Sequence, residues 1–172
     1  MQQVDTVDIS RAIRPSGYDE SRKLPLPPGN QGVSPSPEHV RIVQSTWLEV
    51  LPSKDITARR FYDRLFEMDA SFRDLFPGDM SEQCEELVLL IDAAVKGLSR
   101  LPRLVPAVQE LGRCHASTGI NDDHYAMAGD ALVWALGNGL GTEFTPDVKE
   151  AWTAVYGVLA TTMRDAAAAA RT

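Results

Sequence analysis

Three histidines offer imidazole nitrogens, and one of them is placed for metal chemistry. His115 continues a helical row of apolar residues, so its ring is predicted to point into the core. That row consists of Leu104, Val108 and Leu111. A buried neutral imidazole needs a hydrogen-bond partner or a metal. His115 is therefore the candidate ligand, and the alternative is an ordinary core histidine. His39 and His124 lie beside acidic residues in the first turns of predicted helices, which favours solvated surface positions.

The other metal-binding residue types do not form a ligand set around His115. Cys84 and Cys114 lie far apart and in no CxxC or CxxCH spacing, so neither a structural zinc site nor covalent haem attachment is indicated. We expect both to be free, buried thiols. Haem iron is a different case, because the porphyrin supplies four ligands and the protein need add only one imidazole and an apolar slot.

The elements that must position His115 are helices. From Ser36 onward the chain shows capping residues followed by apolar rows at helical spacing, with no strand pattern. This predicts an all-α fold of about six main helices. The predicted starts are Ser36-Pro37, Asp79 with Glu82 as its capping-box partner, Asn121, and Thr145-Pro146. Trp47, Trp134 and Trp152 are predicted to pack in the core, because their rows hold no convergent polar groups.

Length and charge restrict the function. The 172 residues suffice for one domain, and the net charge of −7 disfavours nucleic-acid binding. No stretch is long and apolar enough to span a membrane, and the first residues do not resemble a secretory signal, so we expect a cytoplasmic protein. Residues 1–36 are rich in proline and lack periodicity, which predicts a flexible extension before a domain of residues 37–172.

Several segments resemble the globin family. LGRCHASTGI, DHYAMAGDALVWAL and GTEFTPDVKEAWTAVYGVLATTM are similar to the proximal half of a globin, and LVLLIDAAVKGL is similar to its distal helix. The resemblance covers roughly residues 37–164 and is closest to bacterial single-domain globins and to the globin domain of flavohaemoglobins, with a further likeness to neuroglobins. It implies a globin fold whose helices sandwich a b-type haem (iron protoporphyrin IX).

The resemblance also implies roles for individual residues. His115 matches the proximal haem ligand, and Leu111 lies one turn before it on the haem side. Phe76 in DLFPG matches the phenylalanine that stacks on the porphyrin, and Tyr125 matches a proximal tyrosine of flavohaemoglobins. On the distal side, Tyr62 and Gln83 match the polar positions facing the ligand, with Leu87 over the iron. Hydroxyl and amide donors at these positions would stabilise bound oxygen.

The function implied is reversible binding of oxygen, with carbon monoxide and nitric oxide as further ligands. The tyrosine and glutamine pair resembles that of enzymes that convert nitric oxide to nitrate, so nitric oxide dioxygenase activity with an external reductase is expected. The flavohaemoglobin carboxylate near the end of the last helix is replaced by Ala169. Alternatives are a haem-based oxygen or redox sensor, an oxygen store or carrier, and a haem-free interaction domain. The oligomeric state is left open.

Overall fold

The computed structural model describes residues 34–170, and these form six long helices and one short helix. The helices are α1 (Pro37–Val50), α2 (Lys54–Met68), α3 (Phe72–Leu75), α4 (Met80–Gly97), α5 (Leu101–Ser117), α6 (Asp122–Leu140) and α7 (Pro146–Ala169). Within this range no strand occurs, which confirms the predicted all-α class. Of the predicted extension, residues 1–33 lie outside the described residues, so its flexibility stays a prediction.

Polar caps begin the helices where the sequence predicts them. The Ser36 hydroxyl accepts a hydrogen bond from the His39 N–H (3.1 Å), and the Thr145 hydroxyl accepts one from the Val148 N–H (3.3 Å). A proline occupies the first turn of each of these helices, where its missing N–H costs nothing. Asp79 caps α4 through the Ser81 N–H (2.6 Å).

A reciprocal capping box is found at α6 instead of at the predicted Asp79 and Glu82 pair. The Asn121 side chain accepts from the His124 N–H (3.2 Å), and His124 Nδ1 accepts from the Asn121 N–H (3.0 Å). His124 is also half-buried, with its ring 4.7 Å from that of Phe72 in an edge-on contact. His124 therefore lies at the surface, as predicted, but is only partly solvated, because its ring serves as cap and as packing surface.

The three tryptophans divide into two buried and one exposed. Trp47 and Trp152 are each 3% exposed and meet edge to face in the core, as predicted. Trp134 is 42% exposed, and the Arg64 guanidinium lies 5.5 Å from its ring centre. The predicted core position of Trp134 is wrong, since its side of α6 faces outward beside α7.

Helix packing divides the apolar core into two clusters. The larger cluster centres on α1, α2 and α6 and includes Trp47, Leu65 and Leu136. The smaller cluster joins α5 to α6 and α7 and consists of Leu104, Val108, Leu111, Tyr125, Ala160 and Met163. Helix α4 contributes to both, with Leu87 and Ile91 on the larger and Leu90 and Ala94 on the smaller. It thus lies along the boundary between the two clusters.

Hydrogen bonds from α1 hold α4 in this place. The Trp47 indole N–H donates to the Asp92 carboxylate (3.0 Å), and the Gln44 amide donates to the Val95 carbonyl oxygen (3.0 Å).

Cys84 and Cys114 are buried free thiols. Among the described residues, no helix combines the length and apolar character needed to cross a bilayer.

Candidate functional site

His115 lies near the end of α5, on the helix face that carries Leu104, Val108 and Leu111. The residue is half-buried, and burial lowers the pKa of its imidazole from 6.5 to about 4. Since water is displaced from around the ring, the charged form is disfavoured and the imidazole is neutral near pH 7. A neutral imidazole carries the lone pair that a metal ion requires.

Tyr125 of α6 is the polar side chain that the structure places against this ring. Its hydroxyl lies 3.4 Å from His115 Nδ1, and the two ring centres are 5.9 Å apart. Tyr125 is itself fixed, because its main-chain carbonyl oxygen accepts a hydrogen bond from the Tyr156 hydroxyl (2.7 Å). A partner at Nδ1 orients the ring and leaves Nε2 as the nitrogen for a ligand role.

Ala169 ends α7 and has only a methyl side chain, as the sequence shows. The hydrogen-bonding side chain at the His115 ring is the phenol of Tyr125. A phenol oxygen accepts a hydrogen bond from Nδ1 more weakly than a carboxylate does.

Tyr62 of α2 lies in the larger core cluster and is 5% exposed. Its hydroxyl donates to the main-chain carbonyl oxygen of Gln83 over 3.4 Å, which is a long hydrogen bond. Burial raises the pKa of this phenol well above its ordinary value of 10, so Tyr62 stays a neutral donor. Its ring meets Phe76 edge to face with centres 5.2 Å apart.

Tyr62 contacts the ring of Phe76 and the main chain of Gln83, and Leu87 follows Gln83 on α4. Phe76 caps the C-terminus of α3 and is half-buried against Phe66 as well as Tyr62. Gln83 and Leu87 stand one turn apart on α4, and both are half-buried. The structure therefore brings Tyr62, Phe76 and Gln83 together, and Leu87 follows on the same helix face.

The predicted site residues thus form two groups. Leu111 and Tyr125 belong to the smaller cluster, with His115 against Tyr125, whereas Tyr62, Phe76 and Leu87 belong to the larger one. Helix α4 packs against both α2 and α5, so it contacts the elements that carry each group.

The donor set fits a haem better than a bare metal ion. Among residues 34–170, no three His, Cys, Asp or Glu side chains are grouped so that they could hold an ion by themselves. A metal held by His115 would have to bring most of its own ligands, as haem iron does. The apolar side chains of α4 and α5 are the surface type that a porphyrin face requires.

Sequence reasoning missed two residues that support the site. Tyr156 stands at helical spacing from Trp152 and Leu159, and the signal for its role is that a phenol on a largely apolar helix face needs a hydrogen-bond partner. His124 is predicted at the surface without a role, and its signal is the position three residues after Asn121, which is a capping-box position. Both act on the start of α6, which carries Tyr125.

Comparison with known proteins gives one consistent family. A sequence model described as "Globin" matches residues 59–163, which is more than half of the chain. The flavohemoprotein of Bacillus subtilis (strain 168) is 30% identical over 124 residues, covering 70% of this chain and 31% of that protein. The neuroglobin of Danio rerio is 28% identical over 136 residues, covering 71% of this chain and 86% of that protein. The chain therefore spans about a third of the flavohemoprotein.

A solved structure agrees in fold. It is an engineered carbene transferase whose parent, from Rhodothermus marinus, is named a candidate nitric oxide dioxygenase. The two structures superpose with a TM-score of 0.73 at 21% sequence identity, covering 80% of this chain and 96% of the other. With the family model matching more than half of its length and the helical fold in agreement, this chain belongs to the globin family.

Proposed function

We propose that this globin binds a b-type haem through His115 and uses it to convert nitric oxide and oxygen to nitrate in the cytoplasm. The observation that carries the proposal is the neutral His115 imidazole, held at Nδ1 by the Tyr125 hydroxyl on a helix lined with apolar side chains. When bound, the haem would supply an iron that binds oxygen reversibly and lets it react with nitric oxide.

On the proximal side, the chain holds one imidazole in one orientation. In the tautomer with the ring proton on Nδ1, His115 donates to the Tyr125 hydroxyl and its Nε2 lone pair is left for the iron. Tyr156 keeps Tyr125 in place through the Tyr125 main-chain carbonyl oxygen. Because a phenol hydroxyl is a weaker acceptor than a carboxylate, His115 would stay an imidazole rather than gain imidazolate character.

On the distal side, the chain supplies two donors that can reach a polar ligand. The Tyr62 hydroxyl is held by only a long hydrogen bond to the Gln83 main chain, so little is lost when it rotates toward a stronger acceptor. Gln83 lies in the first turns of α4, with its side-chain amide nitrogen toward Gly78, so a change of rotamer would bring this second donor to the ligand. Phe76 and Leu87 add apolar surface that keeps water away from the same region.

The relatives support this chemistry. Flavohemoproteins and a candidate nitric oxide dioxygenase are among the proteins that the chain resembles. Forming one nitrate ion from one nitric oxide and one oxygen molecule requires one electron. A separate reductase that delivers this electron is part of the proposal.

The test mixes the oxygen-loaded protein with nitric oxide in a stopped-flow instrument and measures nitrate. We expect one nitrate per haem within milliseconds, with conversion to the ferric form. The Tyr62→Phe variant is the matched control, since it keeps the ring and removes the hydroxyl. If nitric oxide leaves the oxygen-loaded protein unchanged, the dioxygenase proposal is wrong and oxygen storage or sensing becomes the better assignment.

A further inference from the structure

Asp92 interrupts the apolar face of α4 that packs toward α1. It follows the buried Val88 by four residues and precedes the buried Val95 by three, so the three side chains share one face of the helix. Gln83 precedes Asp92 by nine residues, or about two and a half helical turns, and so lies on the opposite face. Helix α4 therefore carries a distal-site residue on one side and Asp92 on the other.

The half-buried Asp92 carboxylate has two different partners. Its Oδ1 accepts the hydrogen bond from the Trp47 indole N–H (3.0 Å), and its Oδ2 accepts one from Lys96 of the same helix (2.6 Å). Lys96 is exposed, and an exposed pair within one helix contributes little to stability. Trp47 is only 3% exposed, so its N–H needs the acceptor that Asp92 supplies. The link to α1 is therefore the contact that requires a polar group on this face.

Helix α1 holds α4 at a second point close to the first. The Gln44 amide donates to the Val95 carbonyl oxygen and to the Ser99 hydroxyl, each over 3.0 Å. Trp47, one turn after Gln44, is fixed in the core by its edge-to-face contact with Trp152, with ring centres 6.2 Å apart. Two anchors on neighbouring turns resist both rotation of α4 and its displacement along its axis.

The position of α4 matters on its other face, where the two distal donors lie. The Tyr62 hydroxyl donates to the Gln83 main-chain carbonyl oxygen over 3.4 Å, a length at which α2 holds α4 only weakly. The Gln83 amide, the second donor, moves with α4 because it is carried on that helix. A small rotation of α4 would therefore change the reach of both donors.

We propose that Asp92 is a positioning residue for the distal side. Through its hydrogen bond with Trp47 it holds α4 where Tyr62 and Gln83 can reach the same ligand. Donors that are held in place lose less freedom when the ligand binds, so bound oxygen is released more slowly. The inference rests on the proposed haem site and states what holds its distal donors in position.

The oxygen release rate of the haem-loaded ferrous protein tests this role. Trp47→Phe keeps a buried ring and removes the indole N–H, and we expect release to be at least about threefold faster than in the wild type. The infrared stretching band of bound carbon monoxide should shift in the same variant, because it reports the hydrogen-bond donors near the ligand. Asp92→Asn retains an acceptor oxygen and should stay close to the wild type, whereas Asp92→Ala should resemble Trp47→Phe.

Trp152→Phe is the matched control. It removes a second buried indole hydrogen bond of the same length, the one to the Thr46 hydroxyl (3.0 Å), which does not involve α4. We expect this variant to be destabilised without a change in oxygen release or in the carbon monoxide band. A loss of stability alone would therefore not reproduce the effect of Trp47→Phe.

Amide hydrogen exchange of the full chain without haem separates this inference from the proposed function. We expect Trp47→Phe to speed exchange in α4 around Gln83 and Leu87 more than Trp152→Phe does. If the wild type binds no haem, the proposed function fails and exchange decides the inference, which equal rates in the two variants would overturn. If haem binds, oxygen release decides: equal effects of the two variants, or none, would make Asp92 merely structural and leave the proposed function standing.

Discussion

Gly112 of α5 lies directly against the main chain of Met163 in α7. A Cβ atom at Gly112 would clash with the Met163 carbonyl oxygen, and the two main chains could not accommodate it without moving. The close approach of α5 and α7 therefore requires glycine here. Because His115 follows Gly112 by one helical turn, this crossing also sets the position of the imidazole.

Gly112→Ala is expected to destabilise the protein by about 3 kcal/mol, because α5 must move away from α7. Gly157→Ala is the matched control, since a Cβ atom there meets nothing within 4 Å. That change should stabilise the helix by about 0.5–1 kcal/mol. Urea unfolding of the two variants measures both effects, and equal stabilities would show that the crossing is not tight.

Tyr62→Phe removes the distal hydroxyl and keeps the ring contact with Phe76. Each ~1.4 kcal/mol of lost stabilisation should speed oxygen release about tenfold, and a hydrogen bond to a partly charged acceptor is worth about 1.5–3 kcal/mol. Displacement of oxygen by carbon monoxide in a stopped-flow instrument measures the rate. An unchanged rate would remove Tyr62 from the distal role.

Tyr125→Phe removes the partner of His115 Nδ1 and should make the imidazole a poorer electron donor. Loss of a hydrogen bond worth about 0.5–1.5 kcal/mol corresponds to a rise in the haem reduction potential of roughly 20–60 mV. Tyr156→Phe is the control, because it retains the Tyr125 hydroxyl and removes only the bond to the main chain. Spectroelectrochemical titration compares the three proteins, and a larger shift in the control would contradict the assignment.

The depressed pKa of His115 makes the stability of the haem-free protein depend on pH. The unfolded chain binds a proton at His115 below about pH 6.5, whereas the folded chain does so only below about pH 4. Stability from this group is therefore complete above pH 6.5 and is lost as the pH falls toward 4. From pH 7 to pH 5 the loss should be about 2 kcal/mol.

Urea unfolding at the two pH values measures this loss in the haem-free wild type and in His115→Gln, which cannot titrate. Carboxylates with lowered pKa values, such as Asp92, also contribute less to the free energy of unfolding as the pH falls, and they do so in both proteins. The difference between the two proteins isolates His115. An identical pH dependence would mean that the imidazole is well solvated.

The fold could be predicted from short-range signals. Ser36-Pro37 and Thr145-Pro146 begin α1 and α7 because caps and first-turn prolines act within four residues. Trp134 could not be placed in this way, since an aromatic residue on a helix is buried or exposed according to where the next helix packs. Neither the Asp92 contact with Trp47 nor the close approach at Gly112 has a local signature.

The sequence predicts which residues form the candidate site but not how their side chains contact one another. The row of apolar residues on α5 identified His115, and the resemblance supplied Tyr62, Phe76 and Tyr125. The contacts that join them depend on helices distant in sequence, such as the Tyr62 hydrogen bond to Gln83 and the Tyr156 hydrogen bond to Tyr125. Side-chain patterns on one helix do not determine such contacts between helices.

The most direct test of the central claim is the absorption spectrum of the reduced protein with and without carbon monoxide, after haemin has been added at one equivalent. We expect the bands of a histidine-ligated haem that shift on adding carbon monoxide, and loss of stable haem binding in His115→Ala. A wild-type spectrum equal to that of free haemin, or an unchanged spectrum in His115→Ala, would contradict the assignment of His115 as the haem ligand.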